Sequence, residues 1–184
     1  MSKIYFYVKQ ILLYLILFVY ILLFTKLLLF KQVTPMELFS SDRTVTRTLT
    51  FIPFKTISEY LFSAHFNLWI AMMEIIGNIV LFIPLGMYLQ MFKRNKKILN
   101  CVTLICTISL CVEITQYILG IGHTDIDDII LNTIGGLLGV IIYRIIYFVL
   151  KEEDKTKTAI SFLWCIFGVC CFIFYKSSGL IIKI

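Results

Sequence analysis

The chain has few charged side chains, two histidines and three prolines in 184 residues. Asp, Glu, Lys and Arg make up 15% of it and hydrophobic residues 60%, whereas a soluble domain has about a quarter charged and about half apolar residues. A mean hydropathy of +0.93 therefore excludes an ordinary water-soluble domain. The net charge of +6 is spread over the ends of apolar stretches, which excludes a nucleic-acid-binding patch and indicates membrane topology signals.

The six cysteines form no CxxC pair, so neither a zinc site nor a disulfide framework is indicated. We expect them to pack or to face the membrane. The two histidines, His65 and His123, fall in or beside the loops between apolar stretches. A Ser-His-Asp hydrolase is therefore poorly supported.

Five apolar stretches approach the roughly 20 residues that a membrane crossing needs. They are residues 11–30, 68–92, 98–119, 126–150 and 159–175, of which the last is the shortest. The predicted fold class is an all-α, polytopic transmembrane helical bundle of about five spans. The chain then divides into an N-terminal transmembrane anchor helix (1–30), an extracytoplasmic aromatic loop (31–67), a core of three transmembrane helices (68–150), and a cytoplasmic loop with a C-terminal transmembrane helix (151–184).

Basic residues cluster in two of the short loops, 93–97 and 151–157, while the turn at 120–125 has no Lys or Arg. Because short cytoplasmic loops are enriched in Lys and Arg, this pattern predicts an N-terminus inside and a C-terminus outside. The 31–67 loop then lies outside. Its aromatic residues and a short amphipathic helix at about 56–63 suit the membrane interface, or the loop packs on the ends of the helices.

Polar side chains interrupt three of the spans, where they are energetically costly and often functional. Glu74 and Asn78 share one helical face, and Glu113 and Gln116 share another. Glu74 and Glu113 each lie about 9 Å below the outer end of their helix, from about 1.5 Å of rise per residue.

The fourth span begins with three aspartates and continues to Asn132 at the same depth. At 100° per residue, Asp125, Asp128 and Asn132 lie on one stripe of the helix, whereas Asp127 points elsewhere, toward water. The sequence thus predicts a net-acidic pocket that opens toward the outer leaflet. A GxxxG pair, Gly135 and Gly139, permits close helix packing within the chain or between chains.

Each of these residues also has a plainer explanation. Amide side chains often hydrogen-bond between helices without further purpose, and acidic residues in a first helical turn suit the helix dipole. Carboxylates and amide oxygens can bind a divalent cation, although no spacing here is diagnostic of one. Glu113 could instead be a catalytic acid or base.

The same residues form motifs that resemble the VanZ-like family, the teicoplanin resistance protein family. The motifs are NIVLFIPLG at 78–86, Glu113-x-x-Gln116, Asp125-Ile-Asp-Asp128-x-x-x-Asn132-Thr-x-Gly135-x-x-x-Gly139, and the Ile-Pro-Phe core of residues 51–54. The resemblance covers about residues 43–145. The family's polar positions map to Arg47, Asn78, Glu113, Gln116, Asp125, Asp128 and Asn132, to which the helical-face argument adds Glu74. The family often has an arginine shortly before its aspartates, where this chain has His123.

The resemblance implies a small bacterial membrane protein that contributes to resistance against teicoplanin-type lipoglycopeptide antibiotics. The expected mechanism is an outer-leaflet acidic pocket that binds the antibiotic or a lipid-linked peptidoglycan precursor, with membrane lipid as the surrounding partner. A second hypothesis is a membrane-embedded enzyme that modifies a lipid headgroup or precursor, with Glu113 transferring protons and Asp125 with Asp128 holding a cation. A proton-coupled transporter is a third, although the inner halves of the spans offer few polar groups for a pathway.

Overall fold

The computed structural model describes residues 3–29, 36–40, 45–62, 68–92 and 97–164. Six helices and two short strands follow one another in this part of the chain. They are α1 (Lys3–Leu29), β1 (Thr46–Thr50), α2 (Lys55–Phe62), α3 (Leu68–Phe92), α4 (Ile98–Leu119), β2 (Ile121–Asp125), α5 (Ile126–Leu150) and α6 (153–164), with a single 3-10 turn at Glu37–Phe39.

Four of the described helices, α1, α3, α4 and α5, are long and apolar enough to cross a membrane. The bounds of α3, α4 and α5 are those that the apolar stretches predict, and the all-α transmembrane class is confirmed. The predicted fifth span, 159–175, begins within α6 and then lies mainly outside the described residues.

Helices α3 and α5 pack with their backbones in contact, because glycines face the partner helix at three places. A Cβ atom added to Gly86 would lie 2.0 Å from the carbonyl oxygen of Gly136, and one added to Gly139 would lie 2.0 Å from that of Ile83. Gly135 meets the carbonyl oxygen of Ile79 in the same way, at 2.1 Å. The GxxxG pair therefore serves packing within the chain, between α3 and α5. We call these contacts the glycine seam.

Helix α1 packs on α3 through aromatic side chains. The Tyr20 hydroxyl donates a hydrogen bond of 3.0 Å to the carbonyl oxygen of Leu81. Phe24 meets Phe82 edge to face, with ring centroids 5.0 Å apart, and Phe82 is fully buried together with Ile105 of α4 and Val140 of α5. These contacts place α1 beside α3, next to the site described below.

The two strands form a small parallel sheet that the sequence analysis missed. Thr48 pairs with His123 in this sheet, and the His123 ring hydrogen-bonds to the hydroxyls of Thr48 and Thr50. The sheet ties the segment before α2 to the turn between α4 and α5.

Candidate ligand-binding cleft

A cleft of about 220 Å³ lies between α1, α3, α4 and α5. Its polar lining comes from three helices and its apolar lining mainly from α1 and α3. The polar residues are Glu74, Asn78, Glu113, Gln116, Asp128 and Asn132, and the others are Leu27, Leu28, Met73, Gly77 and Leu81. Six of the eight predicted site residues thus surround one cavity, and Arg47 and Asp125 do not line it.

The α3 and α5 sides of the cleft are joined by a hydrogen bond from the Asn78 amide nitrogen to the Asp128 carboxylate. Asn78 precedes Ile79, whose carbonyl oxygen packs on Gly135 in the glycine seam. Because the seam holds the two backbones together, a short amide on α3 can reach a short carboxylate on α5.

Glu113 on α4 is only 2% exposed, although it lines the cleft. Its Oε2 accepts a 3.0 Å hydrogen bond from the backbone nitrogen of Asp125. The hydroxyl of Thr124 donates to the Glu113 carbonyl oxygen at 3.2 Å. Glu113 therefore anchors the start of α5 to α4 and fixes one wall of the cleft.

Two amides complete the polar wall, and each is oriented by one hydrogen bond from its nitrogen. Gln116 donates to the Leu28 carbonyl oxygen of α1 at 2.8 Å, and Asn132 donates to the Ser109 hydroxyl at 2.9 Å. Within the part of the chain that the structure describes, Gln116 Oε1 and Asn132 Oδ1 are buried acceptors with no hydrogen-bond partner. Most buried polar atoms in proteins are paired, so these two oxygens are notable.

Asp125 lies beside the cleft as the N-cap of α5. It is 3% exposed, and its carboxylate accepts a 2.9 Å hydrogen bond from the backbone nitrogen of Asp127. An aspartate in this position satisfies one of the free N–H groups of a helix start. Its observed contacts are those of a helix cap.

Asp127 does not face water, so that expectation was wrong. It is 1% exposed, and its carboxylate accepts hydrogen bonds from the backbone nitrogens of Phe54 and, at 3.1 Å, Ile57. Phe54 has a positive φ of 62° and immediately precedes α2. Asp127 therefore caps α2 and joins the Ile-Pro-Phe loop to the aspartate motif. The loop docks on the face of α5 opposite the one that carries Asp128 and Asn132.

Arg47 lies on β1, opposite Gly122 of β2. Its side chain is exposed, and its guanidinium donates a 3.5 Å hydrogen bond to the carbonyl oxygen of Ile118, at the end of α4. Arg47 thus binds the sheet to α4 at the edge of the site.

Ser109 was missed by the sequence analysis and supports the cleft from behind. It is fully buried and orients Asn132. Its position was available from the sequence, because Ser109, Glu113 and Gln116 follow the 4 and 3 spacing of one helical face.

No three His, Cys, Asp or Glu side chains within the described ranges are grouped so that they could hold a metal ion. The Asp128 carboxylate accepts a hydrogen bond from the Asn78 amide, and the Glu113 carboxylate accepts one from the backbone nitrogen of Asp125. The predicted divalent cation stays a prediction.

The fold and the cleft together define a class, namely an integral membrane protein of several helical spans with a polar cleft between them. A family model described as VanZ/LLP1 matches residues 12–147, and the chain belongs to this family. It is 41% identical over 70 residues to Protein VanZ of Enterococcus faecium, a match that covers 38% of this chain and 44% of that protein. The match thus spans less than half of that relative's length. No solved structure matches the chain.

Proposed function

We propose that this protein contributes to resistance against teicoplanin-type lipoglycopeptide antibiotics by binding either the antibiotic or a lipid-linked cell-wall precursor in its cleft. Family membership supports the resistance role. The observation that carries the binding mechanism is the meeting of three carboxyl groups and three carboxamides from α3, α4 and α5 in one cavity. Polar groups inside a membrane protein mark binding sites and pathways, because leaving them in hydrocarbon is costly.

The lining also suits an amphiphile. Leu27 and Met73 line the cleft, and their side chains are 50% and 45% exposed on the outer surface of the bundle. An acyl chain could lie against these residues while a polar group enters between α3, α4 and α5. Both ligand classes of the proposal combine a lipid tail with a polar peptide or sugar part.

The proposed orientation places the cleft near the outer leaflet, with the N-terminus inside and the C-terminus outside. Glu113 and Asn132 lie about 9 Å from the ends of their helices that meet at β2, from 1.5 Å of rise per residue. Cysteines introduced at Leu49 and Lys151, in a chain without native cysteines, test this orientation. A membrane-impermeant thiol reagent should label Leu49→Cys in intact cells and leave Lys151→Cys unlabelled until the cells are opened. The reverse pattern would invert the topology.

The functional test compares antibiotic susceptibility in bacteria that express the chain or its variants. Glu113→Ala and Gln116→Leu should abolish the protection against teicoplanin at unchanged protein level. Gln90→Leu is the matched control, because Gln90 is a buried carboxamide of α3 that does not line the cleft. Protection that survives both cleft variants would refute the mechanism.

Mass analysis of the cell-wall precursors in the same strains separates binding from the alternative, a membrane-embedded enzyme. Binding leaves the precursor composition unchanged when the chain is expressed. New precursor species that disappear with Glu113→Ala would instead support the enzyme, with Glu113 as the proton-transfer group.

A further inference from the structure

We propose that the cleft selects a primary ammonium group that is carried on an acyl chain. The inference rests on the proposed function, because it takes the cleft to be the ligand site, and it names the chemical class of the bound group. Two independent observations support it: the charge of the lining and two unpaired acceptor atoms within it.

The charge of the lining is acidic. Glu74, Glu113 and Asp128 contribute carboxyl groups, and no Lys, Arg or His is found among the described residues that line the cavity. Bringing a phosphate or carboxylate to this wall would place like charges together in a medium of low dielectric constant. A cation is favoured instead, because a buried charge needs an opposite charge beside it.

The unpaired acceptors specify hydrogen-bond donors on that cation. Asn132 is 99% buried, with 1% of its surface exposed, and its Oδ1 has no partner within the described chain. Gln116 Oε1 is likewise buried and unpaired there, and the donation from its nitrogen to the Leu28 carbonyl fixes which end of the amide remains free. A buried acceptor without a donor is costly, so a ligand N–H group that reaches these oxygens gains binding free energy.

A primary ammonium meets both requirements with one small group. It has three N–H donors and a positive charge, whereas a quaternary ammonium has the charge and no donor, and a hydroxyl has one donor and no charge. The apolar residues of α1 and α3 at the cleft mouth, Leu27, Leu28 and Met73, then face the attached acyl chain. The amine could belong to a phospholipid headgroup or to an acylated peptide, and both present the same chemistry to the cleft.

The test measures binding of two matched probe pairs to the full chain in nanodiscs of phosphatidylglycerol. The lipid pair is phosphatidylethanolamine and phosphatidylcholine, which differ in the N–H groups and not in net charge. The peptide pair is N-lauroyl-lysine amide and its Nε-trimethyl derivative. We expect the primary amine of at least one pair to bind about tenfold or more tightly than its trimethyl partner, as the loss of a charge-assisted hydrogen bond requires. The pair that shows the preference identifies the source of the amine.

Variants locate the preference. Asn132→Leu and Gln116→Leu, each made separately so that one folding failure leaves the other informative, should reduce the preference to near unity. Gln90→Leu should retain it. Equal binding of amine and trimethyl probes in both pairs, or a preference that both cleft variants retain, would overturn the inference.

These outcomes are distinct from a failure of the proposed function. Loss of protection on Glu113→Ala without any amine preference would support the resistance role and refute the ammonium ligand. Amine selectivity in a chain that gives no protection would support the ammonium ligand and refute the resistance role.

Discussion

The glycine seam and the cleft show two ways in which α3 and α5 are held together. In the seam, Gly86, Gly135 and Gly139 bring the backbones into contact without any side chain between them. In the cleft, which begins at the residue before Ile79 of the seam, Asn78 and Asp128 join the same helices through a polar side-chain contact. One region gains free energy from close packing, whereas the other keeps costly polar groups in place.

The difference indicates that the seam is the structural support of the cleft. In a membrane the hydrophobic effect does not drive helices together, because the lipid tails are as apolar as the helix surfaces. Small residues stabilise helix pairs there by allowing close van der Waals packing. Once these two backbones are fixed, the positions of Asn78 on α3 and Asp128 on α5 are fixed too. Gly139→Ala and Asn78→Leu test this division of roles, and changes at Asp127 and Lys55 test contacts outside both regions.

The largest effect is expected from Gly139→Ala in the seam. The added Cβ would lie 2.0 Å from the Ile83 carbonyl oxygen, and overpacking costs about 1–3 kcal/mol, more where the neighbour is backbone that cannot move aside. Thermal unfolding in detergent should show a large loss of stability. Gly77→Ala is the control, because its Cβ would meet nothing within 4 Å and alanine favours a helix by up to about 1 kcal/mol. Equal effects of the two changes would show that the seam does not carry the packing.

A smaller and more local effect is expected from Asp127→Ala, which leaves the backbone nitrogens of Phe54 and Ile57 without their acceptor. Loss of a helix cap costs about 0.5–2 kcal/mol. Hydrogen exchange at these two amides should accelerate while that of α4 is unchanged. Glu59→Ala removes an exposed carboxylate of the same helix and should have little effect. Unchanged exchange in Asp127→Ala would contradict the capping role.

Asn78→Leu should lower the free energy of unfolding by about 1 kcal/mol, the net contribution of one hydrogen bond. The change leaves the seam intact, so the protein should still fold, but the Asp128 carboxylate loses the amide donor that orients it. Protection against teicoplanin should fall more than stability does. Parallel measurement of susceptibility and unfolding checks this, and a loss of both in strict proportion would argue for a purely structural residue.

The smallest effect is expected from Lys55→Ala. The ion pair between Lys55 and Glu59 spans 3.9 Å between half-exposed side chains, and such pairs contribute about 0–1 kcal/mol and are screened by salt. Unfolding at low and high salt should differ little between this variant and the unmodified chain. A salt-dependent destabilisation above about 1 kcal/mol would show that α2 depends on this surface pair.

The long helices and most of the cleft could be predicted from the sequence, for a physical reason. Apolar stretches define α3, α4 and α5 directly, and helical periodicity alone places Glu113 with Gln116, and Asp128 with Asn132, on shared faces. Helix α3 continues through Pro84 to Phe92, as the length of its apolar stretch predicts.

The contacts between distant segments could not be predicted in the same way. The sheet pairs Thr48 with His123, 75 residues apart. Neither short strand has a sequence pattern that predicts which segment it pairs with. Asp127 was placed correctly on the helix but in the wrong surroundings, because helical geometry does not show that the Phe54 loop docks there. The face of a helix on which a side chain lies follows from sequence spacing. The environment of that side chain depends on which distant segment packs against the face.

Side chains of α3 and α5 must meet for the cleft to exist, and disulfide crosslinking in native membranes measures this contact directly. In a chain whose six native cysteines are replaced by alanine, Asn78→Cys with Asp128→Cys should form a crosslink rapidly under mild oxidation. Ile76→Cys with Asp128→Cys should not, because Ile76 is exposed on another face of α3. Equal crosslinking of the two pairs, or none at 78 and 128 in folded protein, would contradict the cleft itself.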